Sequence, residues 1–211
     1  GFDHMEVALS VGIQKMVRSD KAGVLFTIDT ESGFPDTVII NANWGLGETV
    51  VKGTVNPDQY TVYKPLLSDE TLTPIIGKRR GDKETKMVYA DEGPSTTKTV
   101  ETSSEERSAY VLSEEEALTL ARWGAAIEEH YGRPMDVEWA RDGETEELFI
   151  VQARPETVQS QQAASVLHTY QLTERGERLV TGLSIGQSVA TGEGCVVHSA
   201  ENIDQFEEGG I

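Results

Sequence analysis

An α+β fold is predicted by three observations on this sequence. Short runs rich in Val, Ile, Tyr and Thr recur between clusters of Gly, Pro, Asp and Asn. A strongly capped helical segment stands past the middle of the chain, and a pair of apolar-alternating runs encloses a polar turn directly after it. In chain order, Asp3 to Leu9 reads as a short helix. Gly12 to Val17, Gly23 to Asp29, Thr37 to Ala42 and Gln59 to Lys64 read as strands of a mixed or antiparallel sheet. Among them the WGLGE segment carries Gly45 and Gly47, which permit a sharp turn and a close backbone approach to a ligand. From Ser68 to Glu106 the chain is charged and rich in Gly and Thr. A strand is predicted there at Lys86 to Ala90, and the run EGPSTTKTVETSSEER as a surface loop or ribbon without chemistry.

The helix has its signals in place. Ser113 caps it, Glu116 completes a Ser-x-x-Glu capping box, and Leu112 with Ala117 forms a hydrophobic staple. Ala117, Leu120, Ala121, Gly124, Ile127 and Tyr131 recur at helical spacing, and Gly132 with Pro134 ends the segment. It is expected to pack behind the next element, a hairpin in which Met135 to Ala140 and Leu148 to Ala153 flank a turn containing Asp142 and Gly143. Residues of a hairpin pair at a constant index sum. With Glu138 opposite Gln152, Asp136 faces Arg154, Val137 faces Ala153 and Trp139 faces Val151. One side of the first strand is then apolar, while the other gathers two carboxylates, an amide and a guanidinium. A carboxylate and an amide oxygen suit Mg²⁺ when phosphate and water complete its octahedron, and an adjacent Arg suits a phosphoryl group in transfer. The same residues also suit a solvated polar face with an Asp136–Arg154 ion pair.

MDVEWA followed by FIVQARPET resembles the end of the nucleotide-binding domain of phosphoenolpyruvate synthases, an ATP-grasp-like domain shared with pyruvate phosphate dikinases and rifampicin phosphotransferases. QKMVRSD, GVLFTIDTESGF, WGLGETVVKGTVNPD and HYGRPMDVEW, in that order, are similar to the synthase branch. The resemblance implies that Glu138 and Gln152 hold Mg²⁺ on ATP and that Arg154 is the catalytic contact to the transferred phosphoryl group. It also implies that the strand carrying Gln14, Met16 and Val17 borders the adenine, with the backbone of Met16 and Val17 as its hydrogen-bonding edge; read without it, these three are ordinary sheet core. Residues 1–157 would be the C-terminal half of the ATP-grasp-like domain, 158–168 a linker, and 169–211 the start of a swivelling phosphohistidine domain. The family's Gly-Gly-x-x-x-His motif is absent from the sequence, and RSDKAGVLF is slightly shorter than the usual connection. The implied whole enzyme converts pyruvate, ATP and water to phosphoenolpyruvate, AMP and phosphate through a phosphohistidine outside this chain. A rifampicin phosphotransferase-like enzyme and a non-catalytic binding module are the alternatives.

Composition narrows the partners. A formal charge of −18, from 36 acidic against 18 basic residues, argues against nucleic acid and acidic membranes. No Walker-type Gly-x-x-x-x-Gly-Lys-Ser/Thr loop occurs, and no apolar run is long enough for a membrane span. His4, His130, His168 and His198 show neither a general-base nor a zinc arrangement, and the single Cys195 favours a reducing cytoplasm. The chain opens on Gly1 with no initiator methionine and presents much apolar sequence before any cap or turn signal, stops at EEGGI, and reads as a piece of a longer protein. The expected partners are ATP, pyruvate and the remaining domains of the same polypeptide, with a homodimer as an option.

Overall fold

Strand β1 (Ser19–Phe26) occupies the middle of a sheet because both its edges are paired, one with β2 (Thr37–Trp44) and the other with β7 (Met135–Asp142). The computed structural model describes residues 11–69, 71–90 and 96–157, with isolated positions 173–174, 176–179, 189 and 191–192. Apart from those positions, the expected helix at Asp3 to Leu9, the linker and the second domain lie outside the described residues, as do His198 and Cys195. With β3 (Asp58–Tyr63), β4 (Ile75–Arg79) and β8 (Leu148–Pro155), the sheet has six strands in the order β4-β3-β2-β1-β7-β8. Every pairing in it is antiparallel. A separate ribbon is formed by β5 (Thr85–Tyr89) and β6 (Thr97–Glu101), and helices α1 (Glu48–Val51), α2 (Ser104–Ser108) and α3 (Glu114–Tyr131), with a 3-10 turn at Lys64–Leu66, complete the order.

The sheet's two faces are chemically different because side chains alternate. Leu25, Ile40, Tyr60, Val137 and Trp139 share the face covered by α3, where they meet Ala117, Leu120 and Ala121 in one core. Complete burial of each large apolar side chain stabilises the fold by about 1.5–3 kcal/mol. Gly124 lets the helix come this close, since a Cβ there would stand 2.9 Å from Leu25 Cδ1. The capping box expected from Ser113 and Glu116 is present, and Gly132 closes the helix at φ 66°. Glu116 does more than cap. Its carboxylate accepts from Ser113 N at 2.8 Å and pairs with Lys21 of β1 at 3.0 Å and Arg141 of β7 at 2.9 Å. Burial pushes the Glu116 pKa up, but these partners outweigh it and hold it below the ordinary carboxylate range.

A buried polar hub ties the ribbon to β3. Asp58 and Lys83 are both fully buried and pair at 2.5 Å, while Asp58 also accepts from Gly81 N at 2.9 Å and Val111 N at 2.7 Å. Next to it the Tyr60 hydroxyl donates to Leu112 O at 3.0 Å and accepts from Leu112 N at 2.9 Å; burial pushes that phenol up.

Several expectations are corrected. Gly12 to Val17 is not a strand: the segment belongs to neither sheet and is largely exposed, with Met16 and Val17 lining a cleft and Ile13 fully in solvent instead of in the core. The strand placed at Gly23 to Asp29 runs instead from Ser19 to Phe26. Val151 does not face Trp139, because a β-bulge after Glu138 puts Ile150 there. Tyr131 lies outside the apolar stripe, 53% exposed, with its ring edge-on to His130. Helix α3 packs across β1, β2, β3 and β7 and not behind the hairpin alone.

Replacing Asp58 with Ala leaves the Lys83 ammonium buried without its partner, and a loss of roughly 3–5 kcal/mol is expected in urea unfolding. A loss below about 1 kcal/mol would show that the hub contributes no more than a surface pair. A second expectation concerns pH. A depressed carboxylate stabilises the fold fully above its unfolded pKa of about 4.3. That contribution disappears as pH falls through the lower folded value. The difference in urea midpoint between wild type and Glu116→Gln should therefore be constant at neutral pH and shrink below pH of about 4. A gap unchanged down to acid unfolding would rule out the ionised form as the source.

Candidate functional site

The face away from α3 carries the polar side of the hairpin. Pairing of β7 with β8 sets Glu138 opposite Gln152, Asp136 opposite Arg154 and Val137 opposite Ala153, as the index sum predicts. Pairing of β7 with β1 then places Val24 beside Glu138 and Phe26 beside Asp136, a half-buried apolar floor next to the two carboxylates. A cleft of about 450 Å³ opens there, and Gln14, Met16, Val17, Ala22, Leu46 and Glu138 are among its walls. Of the six expected site residues, these walls include four; Gln152 and Arg154 stand beyond the cleft on β8.

Gln152 Nε2 donates to Glu138 Oε1 at 3.4 Å. Rotating the amide by half a turn puts its oxygen where the nitrogen stands. The carboxylate and amide oxygens would then stand 3.4 Å apart, and closing that gap by about 0.4 Å brings them to the spacing of adjacent ligands of an octahedral cation whose ligand distances are about 2.1 Å. Among the described residues no group of three His, Cys, Asp or Glu surrounds a common point, so a cation here needs oxygens from its ligand and water. The residues fit Mg²⁺ on those terms.

Arg154 is aimed by Asp136. Its Nε and Nη2 reach the same carboxylate oxygen, Oδ2, at 2.8 and 2.7 Å, while the guanidinium stays 57% exposed. The other oxygen, Asp136 Oδ1, is buried with no partner.

The segment 11–18 is held by side-chain contacts and isolated backbone bonds in place of a β ladder. Gln14 Nε2 donates to Val151 O at 3.3 Å, and the Tyr89 hydroxyl and Ser19 N both donate to Val17 O, at 3.0 and 2.9 Å. The Val17 carbonyl thereby already accepts two hydrogen bonds. At its end, Arg18 O accepts from Gly143 N at 2.9 Å, Arg18 N donates to Asp142 Oδ2 at 3.2 Å, and its guanidinium pairs with Glu144. Backbone N–H groups of Glu144 and Thr145 hold the Asp142 carboxyl below its ordinary range. The hairpin turn therefore positions the cleft wall, a role that Asp142 and Gly143 did not reveal as turn residues. Gly45 also acts differently from expectation: at φ 78° it lets the backbone touch the ribbon, where a Cβ would stand 2.2 Å from Met87 O, whereas Gly47 lines the cleft.

Comparison with known proteins shows the family. The family model described as pyruvate phosphate dikinase, AMP/ATP-binding domain, matches residues 1–174. The phosphoenolpyruvate synthase of Synechocystis sp. is 52% identical over the whole chain, and those of Helicobacter pylori and Escherichia coli K12 are each 46% identical over the whole chain. The chain spans 27%, 28% and 27% of those relatives, respectively. From the match over most of its length, the chain belongs to the pyruvate phosphate dikinase AMP/ATP-binding domain family.

Proposed function

We propose that this chain supplies the metal-binding side of an ATP site in an enzyme that makes phosphoenolpyruvate from pyruvate, ATP and water, releasing AMP and phosphate. The observation that carries the reading is the cross-strand pair Glu138–Gln152, 3.4 Å apart on the open sheet face and next to an Arg154 held by Asp136. The names of the relatives support the pyruvate acceptor over a rifampicin-type one. The charged side chains at 138 and 154 and the amide at 152 support catalysis over a purely structural module.

In this reading the purine lies against Met16, Val17, Ala22 and Leu46, with the Met16 backbone as its polar edge. Glu138 and Gln152 would hold Mg²⁺, which supplies charge neutralisation to the phosphate oxygens. Arg154 places a planar fork of donors where negative charge spreads during transfer. Asp136 keeps that fork from folding back on the strand. The acceptor histidine, carried outside this chain, would be the in-line nucleophile. The division into 1–157, a linker at 158–168 and the start of a swivelling domain at 169–211 belongs to the same proposal, as does a cytoplasmic location. Among the described residues no helix is long and apolar enough to cross a membrane.

In the complete protein, Glu138→Ala and Gln152→Ala should each lower Mg²⁺-dependent ATP turnover by roughly 100-fold. Stability should change by less than about 1 kcal/mol, because neither side chain enters the core. Wild-type turnover by both variants at limiting Mg²⁺ would remove the metal assignment. Arg154→Lys keeps the charge and loses the fork, so the rate of phosphoenzyme formation should fall by roughly ten-fold or more with little change in ATP affinity. Rapid quench with labelled ATP reads this directly. An unaltered rate would reduce Arg154 to the ion-pair partner of Asp136.

A further inference from the structure

One transverse row crosses all six strands on the face opposite α3. Successive registers join Gln152 to Glu138, Glu138 to Val24, Val24 to Asn41, Asn41 to Gln59, and Gln59 to Arg79. Five of the six side chains are polar, which a face covered by a hydrophobic layer would not carry. The Glu138 end is the hairpin already described. The other end, on β2, β3 and β4, has a different composition: two amides and a guanidinium, with no carboxylate.

The facing of Arg79 is fixed by its neighbour. Lys78 reaches Glu114 of α3 at 3.1 Å and stands 4.6 Å from the centre of the Tyr110 ring, so the next residue of β4 emerges on the opposite face. Gln59 Nε2 donates to Asn41 Oδ1 at 3.3 Å, which orients the Asn41 amide and leaves its NH₂ group free to donate. Neither that group nor the Arg79 guanidinium has a partner among the described residues, although Lys78 and nine other cations are ion-paired. In a chain with 36 acidic residues, a guanidinium left unpaired beside two amides is a donor set without an internal acceptor.

We propose that Asn41, Gln59 and Arg79 form an oxyanion subsite for a phosphate ion, separate from the metal-binding hairpin. A guanidinium fork and an amide NH₂ present several N–H donors in the geometry phosphate oxygens accept. With neighbouring strands about 4.8 Å apart, Arg79 lies four steps, about 19 Å, from Glu138. A nucleotide whose phosphates sit on the hairpin reaches Asn41, two steps or about 10 Å from Glu138, but does not extend to the Arg79 strand, so the guanidinium end of the subsite takes a second anion. That the anion is phosphate rests on the phosphoryl-transfer reading of this face; the donor set rests on the geometry alone.

Equilibrium dialysis of the complete protein against labelled inorganic phosphate in metal-free buffer tests this. Saturable binding is expected, weakened by about ten-fold or more in Arg79→Ala and in Gln59→Glu, since each removes or opposes a charge-assisted contact. Arg79→Lys should fall between. Glu138→Ala should leave phosphate binding intact while Mg²⁺-dependent nucleotide binding is lost. Label retained in the presence of Mg²⁺ and a non-hydrolysable ATP analogue identifies free phosphate as the occupant. Label displaced by the analogue assigns it to the nucleotide and overturns a separate subsite. Equal binding by wild type and Arg79→Ala, or a loss confined to Glu138→Ala, also overturns it. Phosphate binding that depends on Arg79 in a wild-type protein with no Mg²⁺-dependent nucleotide binding would refute the proposed function alone.

Discussion

Two-sided pairing of β7 is the constraint on which the rest of the structure depends. Its inner edge is locked to β1 and its outer edge to β8, and Val137 and Trp139 are buried under α3. A slip by one residue would send Glu138 into the core and Trp139 into the cleft, so the hydrophobic pattern itself holds the carboxylates on the open face. The bulge after Glu138 adds to this. It leaves Glu138, Asp136 and their partners in register, yet adds a residue at Val151, whose carbonyl receives Gln14 from the cleft wall. Cleft and hairpin are joined at that point.

Charged contacts then fasten helix to sheet at the other end of β7. Arg141, only 11% exposed, meets Glu116 of α3, Asp20 of β1 and Glu146 of the hairpin turn. Three carboxylates around one guanidinium offset the cost of burying it, and removal of any one leaves the others in place. Glu116 is common to the helix cap, β1 and β7, so the start of α3 and the register of the central strands are fixed together. Among the described residues the open face has no such helix-to-sheet clamp.

How much of this was legible in the sequence depended on whether the signal was local. The helix and its cap followed from Ser113, Glu116 and the apolar stripe, and the hairpin register from Asp136 to Glu138 from the index sum, because both are set by neighbours in the chain; the bulge that shifts Trp139 to Ile150 was not legible there. Similarly, Ser103 with Glu106 is a capping box that marks α2, a signal present in the run read as a loop or ribbon. The ribbon half of that reading holds for β6, which pairs with β5. Strand β4 was missed because Ile75–Arg79 has one apolar pair followed by Gly77 and two cations, and it is a strand only through pairing with β3. Gly12 to Val17 was misread for the converse reason: its alternation is strand-like, but no strand pairs with it. The Asp58–Lys83 pair, 25 residues apart, has no signature in spacing at all.

The position of the metal tests the account most directly. Crystals of the complete protein grown with Mn²⁺ in place of Mg²⁺ and a non-hydrolysable ATP analogue would locate the ion by anomalous scattering. A peak is expected between the Glu138 carboxylate and the Gln152 side-chain oxygen, on the face opposite α3 and beside Val24. A nucleotide-bound ion coordinated elsewhere, with Glu138 and Gln152 still joined only to each other, would contradict it.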